Sequence, residues 1–197
     1  EMQGVKHHLL DIVEPISKYS VGSFEKDVNK ILNTNQNKNF LLVGGAGLYL
    51  NSVTNGLSAL PSADEKTREY ISTLDNETLY NLALKYDEEA TKEIHFNNRV
   101  RLERVVEVFL LTGEKFSVLS KKNIKNNNFS FLKIALERSR EHLYERINKR
   151  VDIMLADGLV KEVENLYKIY GEKLYKLNII GYSEIIDYLN NKISLDE

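Results

Sequence analysis

The 197-residue chain has 42% hydrophobic and 28% charged residues, with 10 Gly, 2 Pro and no Cys. That balance excludes a disordered or collagen-like chain and a disulfide-stapled miniprotein, and the lack of Cys removes thiolate catalysis and Cys-ligated metal sites. A net charge of −2 conceals residues 115–150, where ten basic side chains face three acidic ones, a run suited either to a phosphate-rich partner or to a solvated face.

Four His (His7, His8, His95 and His142) form no i,i+4 pair, so no metal ligands are assigned. No stretch reaches the roughly 18 apolar residues of a membrane span, and no signal peptide is read. A cytoplasmic protein without a membrane partner is expected.

In chain order, His8–Val13 is short, apolar and stopped by Pro15, which predicts a buried strand. Ser20 then caps a helix whose stripe is Val21, Phe24, Val28 and Ile31, and Asn33–Asn39 reads as a loop. Phe40–Val43 predicts a second strand, ended by Gly44-Gly45, and Leu48, Tyr49, Leu50 and Val53 begin another helix. Strand, helix, strand, helix implies parallel pairing and an α/β sheet. From Asp64 to about Gly113 the pattern is helical throughout. Strand-like alternation returns at Phe129–Leu136, and Ser139 precedes a helix with an inner stripe of Leu143, Ile147, Val151 and Met154. The organisation is an α/β core at 1–62, a helical insertion at 63–125, and a return to the core with C-terminal helices at 126–197.

Three segments carry chemistry. Gly44, Gly45 and Ala46 join strand to helix, where a backbone without side chains and the amides of a helix start suit a phosphate, or simply make a tight turn. Arg101 and Arg104 lie three apart on the helix Asn97–Leu111, whose buried side is Leu102, Val105, Val106 and Phe109. They suit phosphate contact, or else a salt-bridged surface with Arg99–Glu103 and Arg104–Glu107 as internal pairs. Arg146 and Arg150 share a helix face and suit a diphosphate, or ornament an ordinary amphipathic helix. No G-x-x-x-x-G-K-[ST] loop is present.

Taken together and in order, HLLDIVEP, YSVGSFEKD, LLVGGAGLYL, LPSAD, RVRLERVVEVFLLTGEKFS, ERINKRVDIMLADGLVKEV and IIGYSEIIDYL closely resemble the bacterial tRNA dimethylallyltransferases, also called tRNA isopentenyltransferases. The resemblance covers nearly the whole chain. It implies a P-loop NTPase-like parallel sheet core with an α-helical insertion, and transfer of a dimethylallyl group from dimethylallyl diphosphate to N6 of the adenine 3′ of the anticodon. The target base is flipped out of the anticodon stem-loop, and Mg²⁺ helps neutralise the departing diphosphate. By position, Gly44, Gly45 and Ala46 line the diphosphate and adenine end of the channel, Ala46 standing where the family usually has Thr. Arg68, Val100, Arg101, Leu102, Glu103 and Arg104 fall at tRNA contacts, and Arg146 and Arg150 at the diphosphate. The family's phosphate loop, its general base and its C-terminal basic helix lie outside these residues, so the resemblance implies a fragment without turnover of its own and a monomer. The other readings are an isopentenyltransferase acting on free adenine nucleotide and a non-catalytic RNA-binding module.

Overall fold

A computed structural model describes residues 4–124 and 129–195. The chain divides into two compact units, residues 20–131 and residues 1–19 with 132–197.

The unit 20–131 begins with α1 (Val21–Thr34) and α2 (Gly47–Asn55), which pack together. Ser20 caps α1 as expected, its hydroxyl accepting from the Ser23 amide at 3.1 Å. Val28, Leu32 and Val53 are buried between the two helices, and Phe24 meets Tyr49 edge-on at 5.1 Å. A two-residue strand β1 (Leu57–Ser58) follows, paired antiparallel with β2 (Asn123–Ile124).

Between those strands lie α3 (Glu65–Ser72), α4 (Asn76–Tyr86), α5 (Glu88–Lys92), α6 (Arg99–Thr112) and α7 (Phe116–Leu119). Each of the first four starts at a residue whose short side chain accepts a hydrogen bond from an orphan amide: Asp64, Asp75, Asp87 and Asn98. Gly113 ends α6 at φ 70°, a left-handed cap that a side chain would strain. The core is Ile71, Leu79, Ala83, Leu102, Val105 and Val106, where α3 and α4 pack on α6. Each buried Leu, Ile or Val there contributes about 1.5–3 kcal/mol. Phe109 is half-buried and stacks on Tyr86 at 4.3 Å.

The other unit holds α8 (Arg140–Ala156), α9 (Leu159–Tyr170), α10 (Glu172–Tyr175) and α11 (Tyr182–Leu189). Its core is Val163, Leu174, Ile185 and Ile186. Gly158 at φ 100° makes the turn from α8 into α9. The Tyr182 hydroxyl donates to Glu162, and burial together with that acceptor raises its pKa to about 12.

Three expected strands are not strands here. His8–Val13, Phe40–Val43 and Phe129–Leu136 do not form strands, and Leu41, Val43, Leu132, Ile134 and Leu136 are strongly exposed. Apolar content signals a wish for burial, whereas a strand also needs neighbours for its backbone groups. The described residues are therefore mainly helical, and the single sheet among them is the β1–β2 pair. Asn123 and Ile124 form β2, and residues 125–128 lie outside the described residues. The expected stripe of α8 is also unburied: Leu143, Ile147, Val151 and Met154 are all exposed, and no residue of that helix is buried. No described helix is long and apolar enough to cross a membrane.

Candidate functional site

The glycine turn sits at the start of α2. Ala46 is its N-cap at φ −82° and ψ 90°, with no side-chain cap, and Gly44, Gly45 and Ala46 are exposed. A Cβ built on Gly45 or Gly47 would meet nothing within 4 Å, so packing within the chain does not require glycine at either position. A threonine at position 46 would supply the missing cap acceptor. Ala46→Thr is therefore expected to stabilise the protein by about 1 kcal/mol. Thermal denaturation checks this, and an unchanged midpoint means that the first turn of α2 has no use for a cap.

A cleft of about 910 Å³ opens within the unit 20–131. Leu57, Leu60 and Pro61 from β1 and the turn after it line one part, Ile94, Val100 and Phe116 another. Arg68, Arg101 and Arg104 bring cations to the same cleft. Lys121 also lines it but is paired with Glu89 at 2.8 Å.

Sequence reasoning paired Glu107 with Arg104 but did not foresee that the same carboxylate also holds Arg68. Glu107, whose side chain is 2% exposed, accepts from Arg68 Nε at 2.7 Å and Arg104 NH1 at 2.5 Å. It also accepts from Arg68 NH2 and from the Asp64 amide, both at 3.2 Å. Burial pushes its carboxyl pKa up, and the hydrogen bonds from Arg68, Arg104 and the Asp64 amide outweigh that push, holding it below the ordinary value. Arg68, in turn, is held above its ordinary value by its hydrogen bond to Glu107. Arg104 NH2 donates to the Pro61 carbonyl at 2.6 Å, which fastens the LPSAD turn to α6. A carboxylate embedded in VVEVFLL was the available signal, because an acid among core residues needs cationic partners.

The expected site residues thus separate. Arg68, Val100, Arg101 and Arg104 share the cleft, with Val100 76% exposed. Leu102 points into the core and is fully buried, so its side chain has no surface to offer an RNA. Glu103 pairs with Arg99 Nε at 2.8 Å, and Arg99 NH2 also donates to the carbonyls of Ile71 and Leu74 at the end of α3. Arg101 has no carboxylate partner among the described residues. Arg146 and Arg150 belong to the other unit, where both are exposed on α8. No group of three or more His, Asp or Glu that could hold a metal ion is found among the described residues.

The IPP transferase family pattern matches residues 1–197 in full. This chain belongs to the IPP transferase family. Within it, the chain is 81% identical over all 197 residues to the tRNA dimethylallyltransferase of Fusobacterium nucleatum subsp. nucleatum, and spans 65% of that protein's length. Among solved structures, it is similar to a tRNA delta(2)-isopentenylpyrophosphate transferase from Staphylococcus epidermidis at 32% identity and TM-score 0.56, covering 99% of this chain and 66% of that one. A eukaryotic dimethylallyltransferase acting on tRNA matches at TM-score 0.80 and 24% identity, over 96% of this chain and 50% of that one, a likeness of fold.

Proposed function

We propose that the protein to which this chain belongs is a tRNA dimethylallyltransferase of the cytoplasm. The observation that carries the reading is the 81% identity, unbroken over the whole chain, to the Fusobacterium enzyme of that name. In the reaction, the N6 lone pair of a flipped-out adenine forms a bond to the allylic carbon of dimethylallyl diphosphate. The carbon–oxygen bond breaks, diphosphate leaves with the electron pair, and N6 loses a proton. The cleft with Arg68, Arg101 and Arg104 takes the anticodon stem-loop, and residues 63–125 act as the gripping insertion. Gly44 and Gly45 lie against the diphosphate, which explains glycines that the chain's own packing does not demand. Arg146 and Arg150, on α8, are candidates for binding diphosphate. Ala46 leaves that end of the channel without the usual hydroxyl. The enzyme acts as a monomer.

Magnesium belongs to this reading through the diphosphate. The described residues assemble no carboxylate or imidazole cage for it; bound with the substrate, it would supply charge neutralisation for the departing diphosphate.

The core of the reading is a P-loop-like parallel sheet to which Phe40–Val43 and Phe129–Leu136 contribute strands. The amides of 40–43 and 129–136 are then expected to exchange rapidly in the 197-residue chain and slowly in the full-length protein. Hydrogen exchange measured on both checks this, and equal rates remove the sheet.

The test of function is prenyl transfer by the full-length protein with dimethylallyl diphosphate and an anticodon stem-loop, against free adenine nucleotide as competitor substrate. Arg101→Glu is expected to weaken stem-loop binding and to flatten its salt dependence by about 0.7–0.9 in log–log slope for every phosphate the variant no longer neutralises. Transfer to the free nucleotide alone, or binding without transfer, replaces this reading.

A further inference from the structure

We propose that Glu107 is a positioning residue for anion recognition: from within the core it sets Arg68 as an oriented fork at the cleft and holds Arg104 as the brace behind it. The inference rests on the RNA-binding reading of the cleft and adds to it a side chain that never meets the ligand.

The geometry assigns the roles. A carboxylate offers about four acceptor directions, and those of Glu107 are taken. Oε1 receives Arg68 Nε and the Asp64 amide, and Oε2 receives Arg68 NH2 and Arg104 NH1. With its side chain 2% exposed, Glu107 has nothing left for a ligand. Arg104 is committed at both ends, to Glu107 and to the Pro61 carbonyl, and its side chain is only 26% exposed. Arg68 is different. Its side chain is 56% exposed, it lines the cleft, and its NH1 donates to nothing among the described residues. The bidentate grip on Nε and NH2 therefore fixes the plane of the guanidinium and leaves its far edge for an incoming phosphate. A free arginine would have to lose that rotational freedom on binding, and here it is already lost.

Charge alone and orientation predict opposite signs. Two guanidiniums against one carboxylate leave one surplus positive charge; Arg101 adds another, and Glu93, which also lines the cleft, offsets one. Removing the carboxylate charge raises the surplus, so simple attraction predicts tighter RNA binding from a neutral variant. Positioning predicts weaker binding, because glutamine replaces one of the two acceptor oxygens by an NH2 that faces donors, so the two-point grip on Arg68 Nε and NH2 is lost.

The experiment titrates a fluorescent anticodon stem-loop RNA into the full-length protein over a range of salt, with Glu107→Gln, Arg68→Lys and Arg101→Glu beside the parent. All are measured below their thermal midpoints. Glu107→Gln is expected to bind about tenfold more weakly despite its gain in positive charge, the equivalent of one charge-assisted hydrogen bond. Arg68→Lys keeps the charge and loses the fork, and is expected to bind about fivefold more weakly, a share of the same bond. Equal or tighter binding by Glu107→Gln overturns the positioning role. Should that variant not fold, Arg68→Lys decides alone, and unchanged affinity there overturns it. If Arg101→Glu weakens binding while the other two do not, only the role of Glu107 falls. If Arg101→Glu changes neither affinity nor slope, the cleft is not the RNA surface and both readings fall.

Discussion

Asp87→Ala is expected to destabilise the helical region by about 3 kcal/mol, from a lost helix cap of about 1 and a stranded buried amide of about 2. Asp87 is fully buried, and its carboxylate and backbone amide together join three elements. Oδ1 accepts from the Ala90 amide at 3.1 Å, which caps α5, and from the Ser117 hydroxyl at 3.0 Å. Oδ2 accepts from the Ser117 amide at 2.6 Å, at the start of α7. The backbone amide of Asp87 closes the end of α4 on Ala83. Alanine leaves the buried Ser117 amide and hydroxyl without their acceptor. Asp87→Asn retains one carbonyl oxygen and should fall between parent and alanine. Urea denaturation of the three proteins checks the order, and an alanine variant as stable as the parent would mean that α7 reaches its position without this anchor.

Glu107→Ala is expected to cost about 2–3 kcal/mol at pH 7, below the 3–5 typical of a fully buried pair because Arg68 regains water when released. The same carboxylate makes stability depend on pH in a defined direction. Its folded-state pKa is depressed below the ordinary 4.5, so the folded state binds its proton less readily than the unfolded chain. The contribution is complete above that ordinary value and is lost as pH falls through the depressed one. The stability gap between parent and Glu107→Gln should therefore stay constant from pH 7 to pH 5 and narrow below about 4.5. A gap of the same size at pH 3 would mean that packing, rather than ionisation, accounts for it.

The two carboxylates also mark what was legible in the sequence. Local signals held: Ser20 caps α1, and Leu102, Val105 and Val106 are the buried stripe of α6. The Arg99–Glu103 and Arg104–Glu107 pairs, read from spacing along one helix, are both made. Contacts closed through space were not legible. Arg68 reaches Glu107 across 39 positions, and Ser117 reaches Asp87 across 30, distances at which no periodicity operates. A capping aspartate such as Asp87 looks the same in sequence whether it faces solvent or holds a second helix. The strands failed for a related reason. Leu41, Ile134 and their neighbours have strand-like composition, yet a ladder is a property of two segments, and composition describes one. The α8 stripe has the right period and no burial, because period states which side of a helix is apolar and not what covers it.

The β1–β2 pairing has a consequence for how this fold tolerates change. Leu57 lies opposite Ile124, and Ser58 opposite Asn123, with the Ala59 amide bonded to the Lys122 carbonyl at 2.7 Å. The backbone entering the helices and the backbone leaving them are thus clasped side by side, like the neck of a drawstring bag. Residues 59–122 leave and rejoin the chain side by side, at a spacing set by the clasp. Helices inside the neck can lengthen, shorten or change their surface without moving the ends that the remainder of the chain must meet. The surface of residues 59–122 can therefore diverge between relatives as a replaceable cassette, while the two strands of the clasp keep their register.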